Sequence, residues 1–173
     1  SAGSAPAGEE SYESFIGAAR GEFIYPKIDE DAAAAMCYTS GTTGKPKGIV
    51  YSHRSIVLHA FAAALPDSFS ISQHDTMMFI APMFHVNGCG LPHAAVMAGS
   101  KLVFPGAACD PASLLELLSS EKVTMTGAVP TLWIAIREIL DKNPGHYNFA
   151  PNCHAIVGGS APAESLIRDL DRH

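Results

Sequence analysis

Four Ser/Thr hydroxyls, three glycines, two lysines and a proline fall within eleven residues, Tyr38-Thr39-Ser40-Gly41-Thr42-Thr43-Gly44-Lys45-Pro46-Lys47-Gly48. Glycine has no Cβ, so backbone N–H groups can turn freely and approach a ligand closely. Successive exposed N–H groups form an anion-binding concavity, to which hydroxyls and lysines add donors and positive charge. The chemistry that suits this composition is the grip on a nucleotide's triphosphate. A Walker A loop requires G-x-x-x-x-G-K followed directly by Ser or Thr. Here two residues separate Gly41 from Gly44, and Pro46 follows Lys45, so that motif is excluded. Met36-Cys37-Tyr38 and Ile49-Val50-Tyr51 flank the loop as short β segments. A loop between two strands is a flap, unlike one that opens a helix and holds phosphate at its N-terminus. The plain alternative is a Gly/Ser/Thr-rich hairpin turn, which has no use for two lysines bracketing a proline.

Three further stretches follow in order: Tyr51-Ser52-His53-Arg54-Ser55, Ala81-Pro82-Met83-Phe84-His85-Val86-Asn87 and Gly158-Gly159-Ser160-Ala161-Pro162. Together with the loop, they make the chain from about Tyr12 onward resemble the adenylate-forming (AMP-binding) superfamily of acyl-CoA synthetases, luciferases and peptide-synthetase adenylation domains. Among these it is most similar to medium- and long-chain fatty-acyl-CoA synthetases. The resemblance implies a reaction in which a fatty-acid carboxylate attacks the α-phosphorus of ATP and pyrophosphate leaves. The thiol of coenzyme A then displaces AMP from the acyl-AMP. Charge builds on the phosphoryl and pyrophosphate oxygens, where donors and cations stabilise it.

Residue by residue, the resemblance makes Thr39, Ser40, Gly41, Thr42, Thr43, Gly44, Lys45 and Lys47 the grip on the β- and γ-phosphates. Thr39 is also implied as a ligand of Mg²⁺ bridging the phosphates. Gly158, Gly159, Ser160 and Ala161 correspond to the adenine-binding turn. His85 falls beside the acyl pocket and the nucleotide, in a positioning role rather than as a general base, and Val86 and Asn87 line the same pocket. Cys89 stands where relatives commonly carry a tryptophan that gates the fatty-acid tunnel, so chain-length preference is open. Read by itself, Cys89 is a small core residue. The other histidines, His53 with His59 and His85 with His93, form no convincing ligand set.

The family's aromatic-Gly-x-Thr-Glu run is absent from the sequence, as are the ribose-binding aspartate and the hinge to a small domain bearing a catalytic lysine. The expectation is therefore an internal piece of the large N-terminal domain, inactive on its own, with the C-terminal domain lacking. Residues 1–8 read as a flexible tail and 9–173 as the piece of the AMP-binding domain. Two rival readings remain. One is an aryl- or amino-acid adenylating enzyme, although no acidic residue for a substrate amine occurs in Phe84–His93. The other is a non-catalytic nucleotide- or partner-binding module reusing the fold.

Bulk properties narrow the field. The net charge of −6 argues against a nucleic-acid footprint, which needs a basic face. Charged residues make up 16% of the chain, against ~25% in typical domains. Apolar surface left uncovered by so few charges favours self-association. The four cysteines, Cys37, Cys89, Cys109 and Cys153, are widely spaced without a C-x-x-C pair, which fits a reducing cytosol better than a disulfide framework. No apolar run approaches the ~18 residues of a membrane span.

The elements that must carry these groups alternate. Helical patterns occupy Glu9–Ala19, the stretch capped by Ser52 with Ile56, Val57, Ala60, Phe61 and Ala64 on one stripe, an irregular Phe84–Ala98, a Leu-rich stretch opened by Asp110-Pro111, and one opened by Pro130. In this last one Leu132, Trp133, Ile136, Ile139 and Leu140 make the apolar face, and a final helix opens at Pro162. Strand patterns occupy Thr76–Ile80, Lys101–Phe104, Val123–Val129 and His154–Val157. Ala32–Ala35, behind Asp31, is compatible with a helix as well as with the strand that follows. Alternation of this kind predicts an α/β fold, a mostly parallel sheet flanked by helices.

Overall fold

The computed structural model describes residues 11–40 and 44–173. The tail and Gly41, Thr42 and Thr43 lie outside these residues, as does the start of the first expected helix. That helix, α1 (Tyr12–Gly17), is capped by the Ser11 hydroxyl accepting from the Ser14 N–H. Next come β1 (Ala33–Thr39) and β2 (Lys47–Ser52), paired antiparallel in a two-stranded sheet of their own. The helical option for Ala32–Ala35 is corrected here: the alanines join β1, pairing Ala33 with Ser52 and Ala35 with Tyr51 across an irregularity. Ladder hydrogen bonds override the weak local preference of a short alanine run.

Ser52 ends β2 and caps α2 (His53–Ala64), its hydroxyl accepting from the Ser55 N–H at 3.2 Å. The chain continues through β3 (Thr76–Met78), a short turn α3 (Val86–Cys89), α4 (Leu91–Ala98) and β4 (Lys101–Val103). Then follow α5 (Pro111–Ser120), β5 (Met125–Ala128), α6 (Pro130–Lys142), β6 (His154–Val157) and α7 (Glu164–Leu170). Asp110 caps α5 as its sequence indicates, with Pro111 in the first turn. The last helix starts at Glu164 rather than Pro162.

All four strands of the main sheet are parallel, in the order β4-β3-β5-β6. Adjacent residues of β3 face opposite ways. Met77 joins Ala60, Ala63, Ile71, Ala94, Ala95 and Met125 under α2 and α4. Met78 joins Val103, Leu114, Leu115, Leu118, Trp133 and Ile136 under α5 and α6, with Leu166 of α7. The sheet is thus the middle of three layers, and both of its faces are apolar, as a parallel sheet requires. The buried Trp133 satisfies its indole N–H on the Ile156 carbonyl at 3.1 Å.

From β3 the chain steps to one neighbour, β4, and then returns to pair β5 on the other side of β3. Such a reversal leaves a crevice at the carboxyl ends of the two strands, the place where open α/β sheets bind ligands.

Candidate functional site

The crevice is real and apolar. A cavity of about 370 Å³ opens at the carboxyl ends of β3 and β5, within the ~300–1,000 Å³ of small-molecule sites. Its mouth is formed by Ala81, Pro82 and His85 after β3, by Val129 after β5, and by Gly158 and Gly159 after β6. Its depth runs along the sheet face beneath α4, between Met77, Met125, Ile156, Phe69 and Leu91. Among the described residues no Asp, Glu, Lys or Arg lines it. The one polar side chain deep in the wall, Thr126, is already committed, donating to the Met78 carbonyl at 2.9 Å. The interior therefore suits an aliphatic chain, and a charged headgroup must stay at the mouth.

Of the residues singled out in sequence, His85, Cys89, Gly158 and Gly159 meet at this one cavity although they come from two distant segments. Gly159 lies at φ 88°, and an added Cβ would sit 3.3 Å from Val129 Cγ1 across the mouth. Ser160 and Ala161 follow, exposed and outside the lining. Val86 and Asn87 are not among the cavity's lining residues. The reason is the backbone of α3. Val86, Asn87, Gly88, Cys89 and Gly90 all have positive φ, between 47° and 68°. This is a left-handed turn, not the irregular start of a right-handed helix.

Glycine and asparagine accept such angles, but a β-branched residue such as Val86 rarely does. The turn sends Gly88 and Cys89 toward the cavity and Asn87 the other way, where its Oδ1 accepts a hydrogen bond from the Cys37 thiol at 3.2 Å. Gly90 closes the turn against α2: a Cβ there would meet the His59 ring at 2.6 Å.

The glycine-rich segment spans the tip of the β1–β2 hairpin, as its flanking strands indicate. Thr39 pairs with Lys47 as the last rung before the tip. Thr39, Ser40, Gly44, Lys45 and Lys47 are all exposed. Neither lysine makes an ion pair with a described residue, and the same holds for Arg20, Lys27, Lys122 and Lys142. Two lysines without an acidic partner among the described residues thus stand at one hairpin end. Among the described residues no group of three His, Cys, Asp or Glu side chains is placed to hold a metal ion. Thr39 contributes one exposed hydroxyl at the hairpin end, too few protein ligands to hold a metal ion unaided.

At the amino ends of the two central strands, opposite the cavity, lies a polar cluster that sequence reading missed. The Asp75 carboxylate accepts from the Ser72 N–H and hydroxyl at 2.8 and 2.9 Å and from the Thr124 hydroxyl at 2.8 Å. Burial pushes this carboxyl up, but the hydrogen bonds from Thr124 and Ser72 outweigh it and hold it below the usual aspartate range. The Thr124 hydroxyl also receives the Thr76 N–H at 3.0 Å, so the cluster ties the starts of β3 and β5 together. The S-x-x-D spacing of Ser72 and Asp75 was the available signal.

The three-layer arrangement and the crevice at the sheet's reversal define an α/β protein with an apolar ligand-sized cavity, and the chain belongs to the AMP-binding enzyme family, whose model matches residues 3–173. It is 46% identical over 168 residues to a long-chain-fatty-acid–CoA ligase of Thermus thermophilus, covering 97% of this chain and 30% of that protein. To a medium-chain-fatty-acid–CoA ligase of Ectopseudomonas oleovorans it is 44% identical over 162 residues, covering 93% and 29%. The chain thus spans under a third of the length of these relatives. The inhibitor-bound N-terminal domain of FACL13 from Mycobacterium tuberculosis superposes with a TM-score of 0.79 at 26% identity, covering 92% of this chain and 40% of that one. The O-succinylbenzoate coenzyme A synthetase of Bacillus subtilis, solved with ATP and magnesium, gives 0.71 at 25% identity, covering 91% and 32%.

Proposed function

We propose that the protein carrying this segment is an ATP-dependent fatty-acid–coenzyme A ligase. The observation that carries the reading is the apolar cavity whose mouth joins His85 of one segment to Gly158-Gly159 of another. An alkyl chain enters beneath α4, and its carboxylate stays at the mouth, where no acidic side chain repels it. Adenine lies against the Gly158–Ala161 turn, and the β- and γ-phosphates are held by Thr39, Ser40, the glycine-rich tip and Lys45 and Lys47. Thr39 would be this chain's ligand to a phosphate-bound magnesium ion, which would neutralise phosphate charge. The carboxylate oxygen forms a bond to the α-phosphorus as the bond to pyrophosphate breaks, giving acyl-AMP. The coenzyme A sulfur then takes the acyl carbon, and AMP leaves.

His85 orients the carboxylate at the mouth rather than moving a proton. Cys89 borders the cavity with a small side chain, leaving room for chains of more than one length. The four free thiols suit a reducing cytosol. The absence of Asp and Glu from the lining argues against an amino-acid substrate, whose ammonium needs a counter-charge.

The test is ATP–pyrophosphate exchange by the full-length protein, offered octanoate, dodecanoate, benzoate and phenylalanine in parallel. Exchange with the two alkyl acids and not with phenylalanine is expected. Exchange confined to benzoate or phenylalanine overturns the fatty-acid assignment.

A further inference from the structure

We propose that Asn87 is a positioning residue: through its hydrogen bond to Cys37 it sets the phosphate-gripping face of the β1–β2 hairpin relative to the acyl cavity. The proposal rests on the ligase reading above and adds a physical link between its two halves.

Three observations carry it. First, Cys37 is the one buried side chain of the two hairpin strands, 6% exposed, while its neighbours along β1 and β2 are exposed or half-buried. The hairpin base is pinned separately, by the His53 and Arg54 amides donating to the Ala32 and Glu30 carbonyls at 3.2 and 2.7 Å. Between base and tip, among the described residues, the side-chain hydrogen bond that reaches out of the hairpin is that from Cys37 Sγ to Asn87 Oδ1, at 3.2 Å.

Second, the register decides what this contact orients. Side chains at i and i+2 of a strand share a face, and directly opposed residues of an antiparallel pair share it too. Cys37 pairs with Ile49 and Thr39 with Lys47. The face seated on Asn87 is therefore the face that bears Thr39 and Lys47.

Third, Asn87 sits in a backbone that leaves it little freedom. It is the second of five consecutive positive-φ residues, between Val86 at φ 47° and Gly88 at φ 65°. Backbone held in so sparsely populated a region persists only where its surroundings determine it, and such positions concentrate at functional sites. The next two residues, Gly88 and Cys89, are cavity wall. One rigid turn thus presents a wall to the acyl chain on one side and an acceptor to the hairpin on the other. A thiol hydrogen bond is weak, so losing it should let the hairpin shift and loosen locally without unfolding the domain.

The experiment uses the full-length protein, with dodecanoate and magnesium–ATP as probes. Asn87→Gly removes the amide while keeping a residue at ease at φ 51°. Cys37→Ala removes the donor, and Cys37→Ser restores one. In dodecanoate-dependent ATP–pyrophosphate exchange, kcat should fall about 5- to 20-fold in N87G and in C37A, as expected for a misplaced binding group. KM for dodecanoate should stay within about twofold, C37S should keep at least about half the activity, and the double variant N87G/C37A should be no worse than the poorer single. Amide hydrogen exchange at residues 36–39 and 47–50 should quicken in N87G. Single variants within twofold of wild type, losses that multiply in the double, or C37S as impaired as C37A would each overturn the positioning role. If the wild type shows no dodecanoate-dependent exchange, the ligase reading has failed instead. Hydrogen exchange then decides alone: unchanged hairpin protection in N87G sinks the proposal, and faster exchange upholds it.

Discussion

Lys45 and Lys47 are the residues whose surroundings say most with least. Both are exposed, and neither has an acidic partner among the described residues. A lysine kept as a surface solubiliser has no reason to share a hairpin end with a second lysine and a run of hydroxyls. Two lysines meant for phosphate oxygens do, because a charge-assisted hydrogen bond contributes about 1.5–3 kcal/mol. Replacing both with alanine in the full-length protein should therefore lower ATP–pyrophosphate exchange by at least about 10²-fold. The check is the exchange rate at saturating acid, and turnover at the wild-type level would mean that phosphate is held elsewhere. His85 and Cys89 present a different case. Their types alone said little, yet the fold brings them to one cavity with two glycines some seventy residues away.

At the scale of elements, what was legible in the sequence were features with local causes. The hydroxyl of Ser52, the Asp110-Pro111 pair and the periodic face of Trp133, Ile136 and Leu140 each predict their helix, and each does so here. What was not legible depends on distant partners. The alanines of β1 become a strand only because β2 supplies a ladder. Of the stripe expected on α2, Ala60 is buried while Val57 and Phe61 lie outside, and Ala63, which the stripe did not include, is buried beside Ala60 because only the small side chains fit against α4. The left-handed turn at Val86 is equally hidden, since no local signal makes valine adopt φ 47°. The polar cluster at the amino ends of β3 and β5 yields a pH prediction. The Asp75 carboxyl has its folded pKa held below the ordinary value, so its ionised form contributes stability above that value. That contribution is lost as pH falls below the ordinary aspartate range and through the depressed folded value. Thermal melts from pH 6 down to pH 2 should show an acid limb that Asp75→Asn flattens, and which is identical in both proteins if the cluster is inert.

On the scale of the whole molecule, the two helical layers differ in what they leave outside. The layer of α5, α6 and α7 leaves few large apolar side chains outside, chiefly Ile134 and Ile167. The α2–α4 layer instead exposes Val57, Leu58, Phe61 and Leu65 along one helix and Val96 and Met97 on the other, with Phe61 at 58% and Leu58 at 56%. The hairpin adds Met36, Tyr38, Ile49 and Val50, and the stretch after α1 adds Phe23, Ile24, Tyr25 and Ile28. Single exposed apolar side chains are ordinary, but contiguous faces of this kind are normally covered. No helix among the described residues is long and apolar enough to cross a membrane, so a bilayer-spanning helix does not account for them. In the relatives this chain aligns with less than a third of the sequence, leaving more than two thirds of those chains available to pack on such faces. The 173-residue chain studied by itself should then associate with its own copies. Light scattering across a dilution series is expected to give a mass that rises with concentration. An apolar dye should bind strongly at low concentration and less as association proceeds. Replacing Leu58 and Phe61 together with glutamate should shift the equilibrium toward monomer without disturbing Ala60 and Ala63, which face inward. A concentration-independent monomer that binds no dye would mean that these faces are already satisfied within the chain.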